Sequence, residues 1–225
     1  MKNISSNFLS SPRLMFVSGW AGFPEFFPTF SQNYIFIIPF ITHAPEEIIL
    51  QINKTNPTYL LAWSTGAHII LKHINEITVK QIFLISPFIH FPDFVDTSIL
   101  DKMELNIKKH PMRILKNFFK KAGFPEIDFH IKKINTKNLI ENLAQGLIFL
   151  KHSKVDILKL DLNCKKLYLI HSKKDRIIPY LQSDLIAQKL MLPEENVIYI
   201  KTNNHYISEN ELCRIIYEKT NCKFF

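Results

Sequence analysis

The 225-residue chain is 47% hydrophobic and 21% charged, a globular composition that excludes a disordered chain and allows one domain with a sizeable core. Its formal charge of +8 suits an acidic partner, whether nucleic acid, anionic lipid or acidic protein, without choosing among them. Cys164, Cys213 and Cys222 show no metal spacing, no apolar run approaches the roughly 20 residues of a membrane span, and the first residues carry no leader pattern; a cytoplasmic protein with no membrane partner is the expectation.

In chain order, "RLMFVS" (Arg13 to Ser18) reads as a short buried strand and "NYIFIIPF" (Asn33 to Phe40) as a second. The turn-rich "GWAGFPEFFPTF" between them leaves room for only a short helix. "APEEIILQINK" (Ala44 to Lys54) is helical, with Pro45 early and two acids in the first turn. "TYLLAW" (Thr58 to Trp63) is a third strand, "TGAHIILKHIN" (Thr65 to Asn75) a helix and "KQIFLIS" (Lys80 to Ser86) a fourth strand. From Phe88 to about Asp156 only helical patterns and breaks occur. Alternation resumes with "KKLYLIH" (Lys165 to His171), a helix over Tyr180 to Leu190, the strand "NVIYI" (Asn196 to Ile200) and a last helix over Ser208 to Lys219. Short apolar runs alternating with helices predict an α/β chain, a mostly parallel sheet with helices on both faces. The middle is a helical insertion, so residues 1–87 and 157–225 form the core and 88–156 the insert.

The stretch "AWSTG" places Ser64 where the third strand gives way to a helix. It departs by one residue from the G-x-S-x-G nucleophile elbow, with Ala62 for the first glycine. The physical demand there is small size, because side chains flanking a sharp strand-to-helix turn collide. A helix cap is the alternative reading of Ser64. A nucleophile also needs a base and a group to orient it. "LYLIHSKKDRIIP" puts Asp175 in a loop just past a strand, and "VIYIKTNNHYIS" puts His205 just past the next. Separately, Asp175 reads as a turn residue and His205 as a solvated loop histidine. Jointly, Ser64, Asp175 and His205 follow the chain order of an α/β-hydrolase triad, with acid and base at the carboxyl ends of strands. The amides of Trp20 and Thr65 are candidate oxyanion donors. His68 and His73 lack the spacing of a metal pair, and His171 reads as the end of its strand. An acyl-transfer triad needs neither metal nor organic cofactor, so none is expected.

"SGWAGFPEFF", "LLAWSTGA", "HSKKDRIIP" and "NNHYIS" together resemble α/β-hydrolases that cleave pimeloyl-[acyl-carrier protein] methyl ester in biotin synthesis. The matches are Gly19-Trp20, Trp63-Ser64-Thr65-Gly66, and Asp175 with Ile178-Pro179. Ser18 stands where that family often has histidine, and the chain is short, like the reduced members. The resemblance implies a serine esterase whose helical insertion is a lid, with basic lid residues meeting an acidic acyl-carrier protein. Ten basic residues lie between Lys102 and Lys137 against three acids; Arg113, Lys116, Lys120 and Lys121 are the candidate contacts, the first three on one helix face by their spacing. A solvated lysine-rich face is the other reading. Phe118, Phe119, Phe124, Leu147 and Phe149 are expected beneath the lid, as channel lining or as its core. No nucleic-acid motif accompanies the charge, and a monomer is expected. Two alternatives stand beside this reading: a hydrolase of another small ester, thioester or lactone, and a non-catalytic binding module on the same fold.

Overall fold

The computed structural model describes residues 14–126, 136–162, 165–201 and 204–223. Arg13, Asp128, Lys132, Lys133 and Cys164 lie outside the described residues. Among the described residues, six strands form one sheet: β1 (Leu14–Val17), β2 (Ile35–Ile37), β3 (Tyr59–Trp63), β4 (Gln81–Ile85), β5 (Lys166–Ser172) and β6 (Val197–Ile200). All pairings are parallel, in the order β2-β1-β3-β4-β5-β6. The helices are α1 (Pro28–Asn33), α2 (Pro45–Thr55), α3 (Thr65–Lys72), α4 (Thr97–Lys109), α5 (Pro111–Ala122), α6 (Thr136–His152), α7 (Leu181–Lys189) and α8 (Glu209–Thr220).

Strands such as LMFV and YLLAW are continuously apolar because both faces of the sheet are covered. Alternate residues feed two cores. Phe16, Leu61, Phe83 and Ile170 face one side with Phe23, Phe26, Phe27, Phe30 and the α8 residues Leu212, Ile215 and Ile216. Met15, Val17, Leu60, Ala62 and Leu84 face the other with α2 residues Ile48 and Ile52, Ile69 and Ile70 of α3, and Ile186 of α7. Each fully buried large side chain contributes about 1.5–3 kcal/mol.

Two expected elements are shorter than the sequence implies. Of Asn33 to Phe40 only Ile35–Ile37 is strand, because Asn33 completes α1 and Pro39 has no amide to donate. Helix α3 stops at Lys72, and a 3₁₀ turn over Ile74–Glu76 follows. The insertion between β4 and β5 carries α4, α5 and α6. Its neck is tied by a bridge between His90 and Lys154 and by the Val155 amide donating to Ile89 (3.0 Å). Helices α4 and α5 part at His110 because Pro111 disfavours helical backbone in the residue before it. None of the described helices is long and apolar enough to cross a membrane.

Candidate active site

The carboxyl ends of β3, β4, β5 and β6 converge on one place. Ser64 follows β3 directly with φ +55° and ψ −117°, a left-handed, strained conformation for a serine that costs about 1–3 kcal/mol. The turn is held because the Ser64 amide donates to Ile85 of β4 (2.8 Å) and its carbonyl accepts from His68 (2.9 Å). Gly66 is required by contact: a Cβ there would lie 2.4 Å from the Ser18 carbonyl oxygen and 2.5 Å from that of Val17. Backbone cannot move away cheaply, so α3 can start this close to β1 only on a glycine. Ala62, at the first small position, is fully buried between Val17 and Leu84 in the register of the sheet. Ser64 therefore starts α3 without capping it; its side chain makes no cap bond.

Its hydroxyl instead meets His205, with Oγ 2.9 Å from Nε2. On the far side of the ring, Nδ1 lies 2.7 Å from Asp175 Oδ2, and the side chains of both residues are fully buried. Burial alone would raise the Asp175 carboxyl. The adjacent His205, hydrogen-bonded to it, together with the nearby His171, outweighs it and holds the group well below the usual carboxylate range. An ionised Asp175 accepts, so Nδ1 of His205 carries the proton and Nε2 is free to accept from the serine. Asp175 is itself held: Oδ1 accepts from the amides of Ile177 (2.8 Å) and Ile178 (2.9 Å), and Oδ2 from the Ser86 hydroxyl (3.0 Å). The expected trio is thus brought together in hydrogen-bonding order.

Trp20 and Thr65 flank the serine. A Cβ on Gly19 would lie 2.9 Å from Ser64 Cβ, so the loop leaving β1 runs against the elbow. The Thr65 amide is the first of α3, where no intrahelical acceptor exists. Both residues line, with Ser64, a cavity of about 230 Å³ whose other walls include Phe91, Leu100, Met103, Ile114, Phe118, Leu147, Leu150 and Ile177. Asn117 and Lys121, one turn apart on α5, are polar groups in its wall. The Trp20 side chain joins this wall to the core: Nε1 donates to the Leu143 carbonyl of α6 (2.8 Å), and its ring meets Phe118 edge-on at 4.9 Å.

The insertion's aromatic residues divide. Phe118 and Leu147 line the cavity. Phe119 and Phe124 instead pack on Phe26 (4.8 and 4.2 Å between ring centres) within the core. Phe149 turns to the opposite side, against Phe40 at 5.1 Å and His68 at 5.7 Å. Arg113, Lys116, Lys120 and Lys121 are all exposed on α5. His68 belongs to a separate, buried chain: Nδ1 donates to the Phe88 carbonyl (3.0 Å), and Nε2 accepts from Ser153 (2.9 Å), whose oxygen accepts from Lys72 (3.1 Å).

Three site residues escaped the sequence reading. Ser86 looked like a strand end, and His171 like another. Asn204 was not singled out; its Oδ1 accepts from the amides of Arg176 (3.0 Å) and His205 (2.9 Å), while its Nδ2 donates to the Lys121 carbonyl (2.8 Å). For His171 and Asn204 the one legible signal was proximity in sequence to Asp175 and His205; Ser86, 89 residues from Asp175, carried none.

The architecture has known counterparts. An esterase from Exiguobacterium antarcticum superposes with a TM-score of 0.72 at 15% identity, covering 94% of this chain and 91% of that one. An α/β-hydrolase fold protein from Burkholderia ambifaria gives 0.62 at 12% identity over 94% and 90%. The fold is that of the α/β-hydrolases. A lipase-esterase related protein from Clostridium acetobutylicum gives 0.64 at 17% identity over 95% of each chain. No family model and no curated protein matches the chain.

Proposed function

We propose that this α/β-hydrolase-fold protein is a serine carboxylic-ester hydrolase. The observation that carries the reading is the unbroken hydrogen-bonded path Ser64–His205–Asp175, with links of 2.9 and 2.7 Å, whose serine faces an apolar cavity. His205 takes the Ser64 proton as Oγ attacks the ester carbonyl, and the buried, ionised Asp175 stabilises the imidazolium. The amides of Trp20 and Thr65 receive the developing oxyanion. His205 then protonates the departing alcohol. Water, deprotonated by the same ring, cleaves the acyl-enzyme, releasing the acid and restoring Ser64. A binding-only role has no support in a serine and histidine set at reacting distance.

The finer reading is the methyl ester of pimeloyl-[acyl-carrier protein] as substrate, with methanol and the free carboxylate as products. Its supports are the segment resemblance, a cavity below the 300–1,000 Å³ or so of ordinary ligand pockets, which favours a short acyl chain over a lipid tail, and the exposed basic residues of α5. The insertion acts as a lid, and Arg113, Lys116, Lys120 and Lys121 meet the acidic carrier. The test is incubation with pimeloyl-carrier-protein methyl ester and with short p-nitrophenyl esters, Ser64→Ala alongside. Carboxylate product that the substitution reduces by at least about 10³-fold supports the full reading. Turnover of short esters alone, still dependent on Ser64, retains the hydrolase and discards the carrier substrate.

A further inference from the structure

The carboxylate that orients His205 is shared with a second histidine. His171, the penultimate residue of β5, is fully buried and its Nε2 lies 3.3 Å from Asp175 Oδ2, the same oxygen that accepts from His205. That nitrogen also lies 3.0 Å from the Ile178 carbonyl, and Nδ1 lies 2.8 Å from the Ser183 hydroxyl of α7. A carbonyl and a carboxylate can only accept, so Nε2 carries a proton. Ser183 can then donate to Nδ1, which leaves the ring neutral with every polar atom engaged. The surrounding charges are already committed: Asp184 of α7 takes the Tyr199 hydroxyl of β6, and Lys173 lies over the rings of Tyr180 and Tyr199. Among the described residues, the ionisable groups in contact with Asp175 are the two imidazoles.

We propose that His171 is a positioning residue of the Ser64–His205–Asp175 array, acting through Asp175 because its Nε2–H, hydrogen-bonded to the Ile178 carbonyl, is held 3.3 Å from the oxygen that supports His205. The inference rests on the hydrolase reading above. The carboxylate's rotation is already fixed by two amides on Oδ1 and by the Ser86 hydroxyl on Oδ2. The nearby N–H of His171 offsets charge on Oδ2, so Asp175 supports the imidazolium of His205 less strongly than a carboxylate without that neighbour would. Ser183 acts one step further out by selecting the tautomer of His171.

The experiment compares wild type with His171→Leu, which has no donor, His171→Gln, which keeps an amide N–H, and Ser183→Ala. Removing the donor frees charge for His205. The acid limb of the kcat/KM profile for a short ester then moves up by about 0.5–1 pH unit in His171→Leu, less in the other two, with KM unchanged. A limb that stays in place in folded, active His171→Leu overturns the proposal. Should that variant not fold, Ser183→Ala decides: a smaller upward move supports the proposal and none overturns it. The ring titration of His205 read by NMR, which needs no turnover, separates the two claims. An upward move of its midpoint in the variants upholds the role of His171 even where no ester is turned over through Ser64, an outcome that removes only the hydrolase reading.

Discussion

Asp175 is the residue on which the site's electrostatics turn. It is buried and ionised, and five neighbours reach it: two amides, one hydroxyl and two imidazoles. Asp175→Asn keeps the shape but cannot hold His205 with the proton on Nδ1, so kcat is expected to fall by about 10³–10⁴-fold, measured on a short ester. The substitution also carries a pH signature in stability. The folded carboxyl titrates below its ordinary value of 3.8, so the stability it contributes is fully present above that value and is lost as pH falls through the folded one. The stability gap between wild type and Asp175→Asn should therefore be larger at pH 7 than at pH 2.5, as read by urea denaturation. That Ser64, Asp175 and His205 come together was legible in the sequence because strand, loop and chain order coincide there. The supporting groups Ser86, His171 and Asn204 were not, because a polar residue at a strand end has no pattern until the neighbouring strands fix what it faces.

Among elements, α3 and α6 do most to place the site. His68 on α3 is held at the end of α6 through Ser153 and Lys72, and burial, reinforced by the Lys72 charge, lowers its titration from 6.5 to about 4. A folded value below the unfolded one means that the neutral ring's contribution is complete above pH 6.5 and is lost as pH falls toward 4. The advantage of wild type over His68→Gln should shrink across that window by up to about 3 kcal/mol, which denaturation at pH 7 and pH 4.5 would show. Gly146 on α6 makes a different demand: a Cβ there would lie 2.7 Å from Trp20 Cδ1. Gly146→Ala should push Trp20 out of place and, if the Trp20 amide receives the oxyanion as proposed, lower kcat by about 10–100-fold, while a larger change in KM than in kcat would contradict it. Helix α3 was readable from its apolar period and the small residues at its start. The contact of α6 with Trp20 was not, since 123 residues separate Trp20 from its Leu143 partner.

At the scale of the molecule, the excess of +8 finds a local expression on α5, where Arg113, Lys116, Lys120 and Lys121 are exposed beside the cavity wall. If that face receives an acidic carrier, Lys116→Glu with Lys120→Glu should raise KM about tenfold for the carrier-bound ester at low salt and leave a p-nitrophenyl ester unaffected. Equal effects on both substrates would assign the face to solvation. A mostly parallel sheet of these strands was legible because strands buried on both faces must be continuously apolar; that every pairing among the described residues is parallel came from the structure. The length of β2 was not, because sheet pairing and the end of α1 set its limits.

By itself the sequence determined the alternation of elements, the place of the insertion and the order of serine, acid and base, since these depend on local periodicity and on small residues at one turn. The tertiary structure decided what the insertion's aromatics do. Phe118 lines the cavity while Phe119 and Phe124 fill the core and Phe149 packs on the far side, although all four share one chemistry. It also decided that His171 and Ser86 converge on Asp175. Such choices rest on which distant backbones come within a few ångströms of each other, and no local pattern encodes that.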